Sequence, residues 1–271
     1  MKKKDNVLET SLWDDTEEFK EVDRLVDEDI EKFKNRGVKA KSVFFIEEID
    51  KPQAYDFVRK YHYLGDAEFF SIYCYGLFHK ATRTLLGVAT YSNPQGTEAL
   101  KGWFGLGTDT KDILELSRLC MLPVLNGTNA TSYLLGNSIK MLKKYKIRAV
   151  ITLATSDRHA GSIYQVCNFK YYGLTDKKSD FYNDDTQKLQ VRNVKRENNG
   201  VWMPKPRKHR YAYVIDPTLK VLYKEQPRPQ QGTYEYKCCD GGIVHDKRHG
   251  VWYTCPICSG KFEIVKRDSE G

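Results

Sequence analysis

The sequence predicts a mixed α/β domain that is not doubly wound, followed by a small cysteine-bearing unit. Three observations predict it. Two runs rich in β-branched and aromatic residues, 69–78 and 85–91, are separated only by a short polar stretch, the pattern of an antiparallel hairpin. A strand-like run at 113–122, a helical pattern at 130–145 and a buried-type run at 150–154 follow as one crossover unit. Four of the seven cysteines, Cys238, Cys239, Cys255 and Cys258, crowd into the tail.

Residues 1–36 are polar, acidic and helix-permissive, with Trp13, Phe19, Leu25, Val26, Ile30 and Phe33 loosely spaced. Residues 1–40 are expected to form an acidic, helical N-terminal arm. The run 43–46 reads as the first strand, and Pro52 in a first helical turn opens a helix through Tyr61. The hairpin strands end at the Asn93-Pro94 turn. Residues 95–111 hold Gly96, Gly102, Gly105 and Gly107 and are expected to be a loop able to close over something. After the fourth strand, 123–129 leads into a helix with Leu134, Leu135, Ile139, Met141 and Leu142 on one face, capped by Asn129 or Thr131. The strand 150–154 is followed by a polar turn, a short helix at 162–167 and a strand at 169–173. A polar insertion spans about 175–200, and 210–216 alternates as a final strand. Residues 41–216 therefore read as the main α/β domain, 217–232 with three of the nine prolines as a linker, and 233–271 as a separate tail.

A chain of 271 residues with 40% hydrophobic and 30% charged residues has the material for a packed core, which excludes wholesale disorder. No run approaches the roughly 20 apolar residues that a membrane span needs. The basic start, Met1 to Asp5, leads into an acidic stretch where a signal peptide has an apolar run. The expectation is a soluble, cytoplasmic protein with no membrane partner. Charge is unevenly distributed: residues 1–36 carry net −4, 37–187 net +4 and 188–271 net +8. A basic end on a chain of pI near 8.9 suggests a polyanionic partner, nucleic acid first, with a solubilising tail as the plainer alternative.

Five stretches carry candidate chemistry. In "NGTNATSYLL", Asn129, Ala130 and Ser132 lie at a helix start whose free amides and dipole suit a phosphate; an ordinary capped helix start is the alternative, and no Gly-Lys-Ser/Thr follows to make a P-loop. In "ATSDRHAGSIYQVCNFKYYG", Asp157, Arg158 and His159 follow a strand end and Tyr164 sits on the next helix, a favoured place for a crevice on an α/β sheet. In "YHYLG", His62 stands between Tyr61 and Tyr63 at a helix end, fit for a base, a metal ligand or a stacking platform, or simply structural. In "KPRKHRY", Arg207, Lys208 and Arg210 suit phosphate contact or a solvated loop. In the tail, the adjacent Cys238 and Cys239 and the "CPIC" pair Cys255 and Cys258, about sixteen residues apart, suit a structural, tetrahedral Zn²⁺ in a zinc-ribbon-like unit, with His245 or His249 replacing one cysteine. The scattered Cys74, Cys120 and Cys167 read as buried small hydrophobes.

The element order, with a phosphate-suited loop after the fourth strand and a tyrosine on the helix after the fifth, resembles the GCN5-related N-acetyltransferase fold, a mixed sheet flanked by helices. More closely, "YHYLG", "LELSRLCMLP", "NATSYLLGNSI" and "SDRHAGSIYQVCNFKYYGLT" resemble the Mom family of bacteriophage DNA-modification proteins over roughly residues 43–215. The resemblance implies an enzyme that converts adenine in double-stranded phage DNA to an N6-carbamoylmethyl form, protecting it from restriction inside an infected bacterial cell. It places His62 and Tyr63 in a histidine–tyrosine motif, Ser132 at a helix-start motif, and Asp157 and Tyr164 in a crevice. It further implies an acyl-CoA or aminoacyl donor, although the usual Arg/Gln-x-x-Gly-x-Gly/Ala run of acetyltransferases is missing.

The chemistry asked of these residues is definite. Adenine N6 is a weak nucleophile because its lone pair is delocalised, so catalysis needs a base and donors for a developing oxyanion. Asp157 or His62 is expected to be the base and Tyr164 the donor to the leaving group. Because N6 is paired in the duplex, the adenine must be extruded, with Tyr61, Tyr63 and the 95–107 stretch as candidates to hold it. The competing readings are an acetyl-CoA-dependent N-acetyltransferase acting on a small amine or protein, and a non-catalytic DNA-binding protein.

Overall fold

The computed structural model describes residues 17–35, 38–62, 69–94, 97–106, 111–155, 160–176, 178–183, 188–190, 200–205, 207–229, 234–237, 243–245 and 263–266. The chain divides into two units. One is built from Met1–Thr152, Ile163–Gly173 and Arg210–Gln226, the other from Leu153–Ser162, Leu174–His209 and Pro227–Gly271.

Helix α1 (Glu17–Asn35) is amphipathic. Val26, Ile30 and Phe33 are buried at i, i+4 and i+7, and the Phe33 ring meets Phe44 edge-on at 5.1 Å. Its outer face carries the exposed pairs Arg24–Glu28 and Lys32–Asp29, each 3.0 Å, worth about 0.3–0.5 kcal/mol apiece. The short α2 (Ala40–Val43) leads into β1 (Phe44–Glu48). Helix α3 (Lys51–Tyr61) starts as its sequence dictates: the Asp50 carboxylate accepts from the Gln53 amide at 2.9 Å, Pro52 sits in the first turn, and Ala54, Phe57 and Val58 face the sheet. Strands β2 (Tyr73–His79) and β3 (Leu85–Ser92) form the expected hairpin, buried along almost their whole length. Then come α4 (Thr97–Phe104), β4 (Ile113–Met121), α5 (Ala130–Leu142), β5 (Ala149–Thr155), α6 (Ser162–Val166) and β6 (Lys170–Leu174). Strands β7 (Lys178–Asn183), β8 (Lys188–Gln190) and β9 (Gly200–Lys205) precede β10 (Lys208–Val214). The tail holds β11 (Tyr234–Lys237), β12 (Ile243–His245) and β13 (Glu263–Lys266).

The main sheet has seven strands in the order β1-β2-β3-β4-β5-β10-β6. The first four are antiparallel neighbours, and β4 and β5 are parallel, joined by the α5 crossover. This is a mixed sheet flanked by helices, the architecture the element order predicts. The last long strand, β10, inserts between β5 and β6 instead of adding at the edge. Among the described residues no helix is long and apolar enough to cross a membrane.

Two expectations are corrected here and a third is given detail. Within the stretch expected to be a loop, 97–104 is helix α4, because Leu100, Trp103 and Phe104 bury into a cluster with Ile113, Ile151, Tyr172 and Leu219. Two of its four glycines serve packing and termination. A Cβ on Gly102 would stand 2.7 Å from the Tyr223 hydroxyl, and Gly105 ends the helix at φ +68°. The polar insertion at 175–200 holds β7 and β8, which form a small antiparallel sheet, β8-β7-β9, with the strand that follows it. The first ten residues of the expected linker, 217–226, lie against the core: Leu219 is buried, Leu222 N–H donates to Trp103 O at 2.8 Å, and Gln226 N–H to Tyr171 O at 2.9 Å.

Candidate active site

The central feature is a local break in the sheet. Tyr91 of β3 pairs with Leu116 of β4, and Thr90 pairs with Arg118, so Ser117 is one residue too many on β4. This is a β-bulge, which bends a strand and re-aims its side chains. Parallel pairing with β5 covers only Ile113, Leu114 and Glu115, opposite Ala149, Val150 and Ile151. Beyond it β4 runs on to Met121, paired among the described residues to β3 alone. The last link is a long hydrogen bond from Thr152 Oγ1 to Leu116 O, 3.4 Å. The bulge and the end of pairing fall together, so the backbone around 116–118 faces a gap in an otherwise continuous sheet.

The alternation of side chains gives this gap two faces. Tyr91 points to α5, where its hydroxyl bonds Ser138 Oγ at 2.6 Å. Leu116, its partner, shares that side. Thr90 and Arg118 share the other side, that of α3. There the Arg118 guanidinium lies 5.0 Å from the Phe69 ring, which in turn packs on Tyr55 of α3 with ring centroids 4.3 Å apart. Ser117 Oγ is 3.0 Å from Thr90 Oγ1 and also reaches the carbonyls of Thr90 and Phe70.

His62 belongs to this α3 face. It caps the helix C-terminus, its N–H donating to Val58 O at 2.8 Å. Burial first, and the nearby Arg118 charge second, pull its pKa down to about 4. The ring is therefore neutral at physiological pH, a hydrogen-bond acceptor or donor and a weak proton store. Tyr61, one residue earlier, is half-buried on Phe57 at 4.8 Å with the Lys60 ammonium 5.2 Å over its ring.

On the α5 face, Asn129 occupies the cap position of α5 with no side-chain capping bond. Ala130 N–H donates to Thr128 Oγ1 at 3.2 Å, while Ser132 Oγ turns back to Asn129 O at 2.8 Å. The first-turn amides of Thr131 and Ser132 have no intrahelical partner by construction. Gly127, at φ +79°, turns the chain before the helix, and a Cβ there would meet no atom within 4 Å. That arrangement fits one phosphate. Helix α6 ends beside this turn: Cys167 Sγ lies 3.9 Å from Ser132 O, its thiol pushed up to about 11 by burial. Tyr164 is buried between Phe169 (5.7 Å) and Tyr211 (5.4 Å), and Gln165 Nε2 donates to Tyr211 Oη at 3.0 Å. Tyr164 and Cys167 lie close enough to Tyr91 that their ionised forms would oppose its own ionisation.

The structure thus gathers Ser132, Cys167, Tyr91 and Tyr164 on one face of the sheet and His62 with Arg118 on the other. Sequence reasoning missed Arg118; the signal was an arginine inside an apolar strand run, "LELSRLCM". Tyr63 and Asp157 lie outside the described residues. Arg207 donates from Nε to Thr175 O at 2.6 Å, and Lys208 is tied to Thr175 by backbone bonds of 2.8 and 2.9 Å. Arg210 lies 4.4 Å over the Tyr223 ring. These three side chains or backbones are thus engaged within the protein. In the tail, Cys238, Cys239, Cys255, Cys258 and His249 lie outside the described residues, and of His245 only the backbone, in β12, is described. Among the described residues no cluster of three His, Cys, Asp or Glu side chains could hold a metal.

Strand order, bulge and helix terminus define a mixed α/β domain built on one seven-stranded sheet. The chain belongs to the Mom protein family, whose model matches residues 43–231. No curated protein matches it. Solved structures similar to it include the IAA acetyltransferase from Bacillus cereus ATCC 14579, 14% identical with a TM-score of 0.34, covering 64% of this chain and 99% of that one. The ribosomal-protein-S18-alanine N-acetyltransferase from Escherichia coli is 11% identical with a TM-score of 0.41, covering 67% and 99%. A GNAT family acetyltransferase from Elizabethkingia anophelis, solved with acetyl-CoA bound, is 14% identical with a TM-score of 0.39, covering 64% and 98%.

Proposed function

We propose that this protein is a DNA-modifying transferase that acts on the exocyclic N6 amine of adenine, installing a carbamoylmethyl or acyl-type group that protects phage DNA from restriction. Membership of the Mom protein family supports the reading. The observation that carries it is the sheet gap at Ser117, with His62 and Arg118 on one side and the α5 amides on the other. Two reactants brought from opposite faces meet at such an opening, and nowhere else across a closed sheet.

The residues present fit a phosphate-bearing donor at Asn129, Ala130 and Ser132, through the amides of the first helical turn. An acyl-CoA or aminoacyl donor, when bound, supplies the activated carbon. The protein's own groups do the rest. As the N6–C bond forms, N6 must lose one proton. Asp157 is the base that takes it. His62, neutral because its pKa is about 4, accepts a hydrogen bond from the amine and aligns its lone pair. Tyr164 donates to the departing group. The Arg118 charge draws the polyanionic substrate to the α3 face.

The tail is proposed to hold one structural Zn²⁺ through Cys238, Cys239, Cys255 and Cys258, with His245 or His249 in place of one, and to add affinity for duplex DNA. Its register agrees: Lys237, immediately before Cys238, pairs with both Ile243 and Glu263. The chain leaving β11 and the chain entering β13 therefore share one end of the small sheet.

The test is mass spectrometry of nucleosides from DNA co-expressed with the protein. A mass-shifted deoxyadenosine is expected, reduced by Asp157→Asn and by Tyr164→Phe. Unaltered adenine alongside acetylated amines would assign the chain to N-acetyltransferases of small amines or proteins. Salt-sensitive DNA binding with no product would make it a binding protein.

A further inference from the structure

We infer that Phe70 is a wedge that enters the base stack of duplex DNA and fills the gap left by an extruded adenine. The inference rests on the DNA reading above and gives that reading a mechanical part. Phe70 is 74% exposed, more than any other large apolar side chain among the described residues, and Ile72, two positions on, is 42% exposed.

A single exposed apolar residue needs no explanation. Two features single this one out. The first is the rigidity of the backbone beneath it. Tyr55 Oη donates to Phe69 O at 2.7 Å, Ser117 Oγ shares its one proton between Thr90 O at 3.0 Å and Phe70 O at 3.3 Å, and Ile72 N–H donates to Tyr91 O at 2.6 Å. Three successive attachments tie the segment to α3, to the bulge and to β3. Phe70 is thus displayed on a fixed frame, as a wedge must be if it is to hold its place in a stack.

The second is location. Ser117, which holds the Phe70 carbonyl, is the bulged residue itself. Arg118 follows it, with its guanidinium over Phe69 and its charge felt by His62. The backbone that carries the exposed ring therefore lies against the bulge at the gap where the acceptor amine must arrive, near a cation suited to the flanking phosphates. Chemistry at a paired exocyclic nitrogen requires extrusion, and apolar wedges such as Phe and Ile are what separate base steps in distorted duplexes. The sequence pointed to the 95–107 stretch as one candidate to hold an extruded base, but Leu100, Trp103 and Phe104 there are buried in the core. Phe70 and Ile72 are exposed where those residues are not.

The experiment uses the full-length protein with Phe70→Ala, Phe70→Trp and, as a surface control, Leu25→Ala. Permanganate reactivity of thymines across a DNA fragment reports unpaired partners of extruded adenines without requiring the donor. Wild type, Leu25→Ala and Phe70→Trp are expected to give hyper-reactive thymines at discrete positions. Phe70→Ala should lower that reactivity at least tenfold, with an unchanged melting temperature and binding to the denatured fragment changed less than twofold. Wild-type reactivity in Phe70→Ala overturns the wedge, as does an equal loss of binding to duplex and denatured DNA. If co-expressed DNA carries modified adenine yet wild type produces no hyper-reactive thymine, the wedge fails and the DNA reading stands. If neither signal appears, both fail.

Discussion

The guanidinium of Arg118 lies 5.0 Å from the centroid of the Phe69 ring, and from there its charge bears on the His62 imidazole. A cation over an aromatic face is held in place by the ring quadrupole, so the charge near His62 is fixed in position. Replacing Arg118 with Leu is expected to raise the His62 pKa from about 4, while leaving it below the ordinary 6.5 because burial is the larger cause. NMR titration of the histidine rings measures this. An unmoved His62 resonance would mean that the two groups are not coupled.

Stability should fall as the solution is acidified from about pH 6.5 towards 4. In that window unfolded His62 takes up a proton that the folded state refuses until about pH 4, so acid favours unfolding. His79 contributes in the same direction. Its pKa is lowered by burial, although its hydrogen bond to the Asp29 carboxylate at 3.2 Å opposes the shift. Asp216, depressed to about 2 by Thr218 and Arg148, acts in a separate and lower window, losing its contribution as pH drops from 3.8 through 2. Urea unfolding across pH should show a shallower slope between 6.5 and 4 for His62→Gln. A parallel slope would remove His62 from the account.

The buried hydroxyl pair of Tyr91 and Ser138 gives an asymmetric expectation. Ser138 Oγ donates to Leu135 O at 3.0 Å, so the Tyr91 hydroxyl is the donor in the 2.6 Å bond between them. Tyr91→Phe leaves Ser138 with a partner and should cost about 1 kcal/mol. Ser138→Ala strands a fully buried phenol and should cost about 1–3 kcal/mol. Denaturant midpoints at constant slope decide the order, and the reverse ranking would refute it.

Asn129 makes no capping bond at the α5 N-terminus. An aspartate there can accept from the first-turn amides and complement the helix dipole, so Asn129→Asp should stabilise the fold by about 0.5–1 kcal/mol. The same carboxylate would occupy the place proposed for a donor phosphate. Thermal shift should therefore show a more stable protein that responds less to added CoA. A CoA response equal to wild type would take the donor away from this helix end.

Metal analysis of the purified full chain should find about one Zn²⁺ per molecule, lost on Cys255→Ser or Cys258→Ser. Deleting 233–271 should then weaken duplex binding across a salt series while the main sheet stays folded. A metal-free wild type, or an affinity untouched by the deletion, would refute the tail's assigned role.

Much of the fold is legible in local pattern. Asp50, Lys51 and Pro52 start α3 because capping and proline geometry act within one turn, and the hairpin of β2 and β3 shows as two β-rich runs around a polar turn. Pattern reading failed where composition misled. Glycines suggested a loop at 95–111, yet Gly102 is there for close approach to Tyr223 and Gly105 for a left-handed helix end. Prolines suggested a linker at 217–232, yet Leu219 is buried in the cluster against Trp103. In each case the deciding partner lies far along the chain.

The candidate site divides in the same way. By itself the sequence determined the order of β1, α3, β2, β3, β4, α5, β5, α6, β6 and β10, the basic tail and the helix start at Asn129, since each is encoded in local pattern or composition. Only the tertiary structure decided that Ser117 is a bulged residue, that pairing with β5 stops after Glu115, and that Arg118 shares a face with His62. Register between strands is a property of two segments at once. No run of neighbours contains it, and the gap at which the proposed chemistry takes place is made entirely of register.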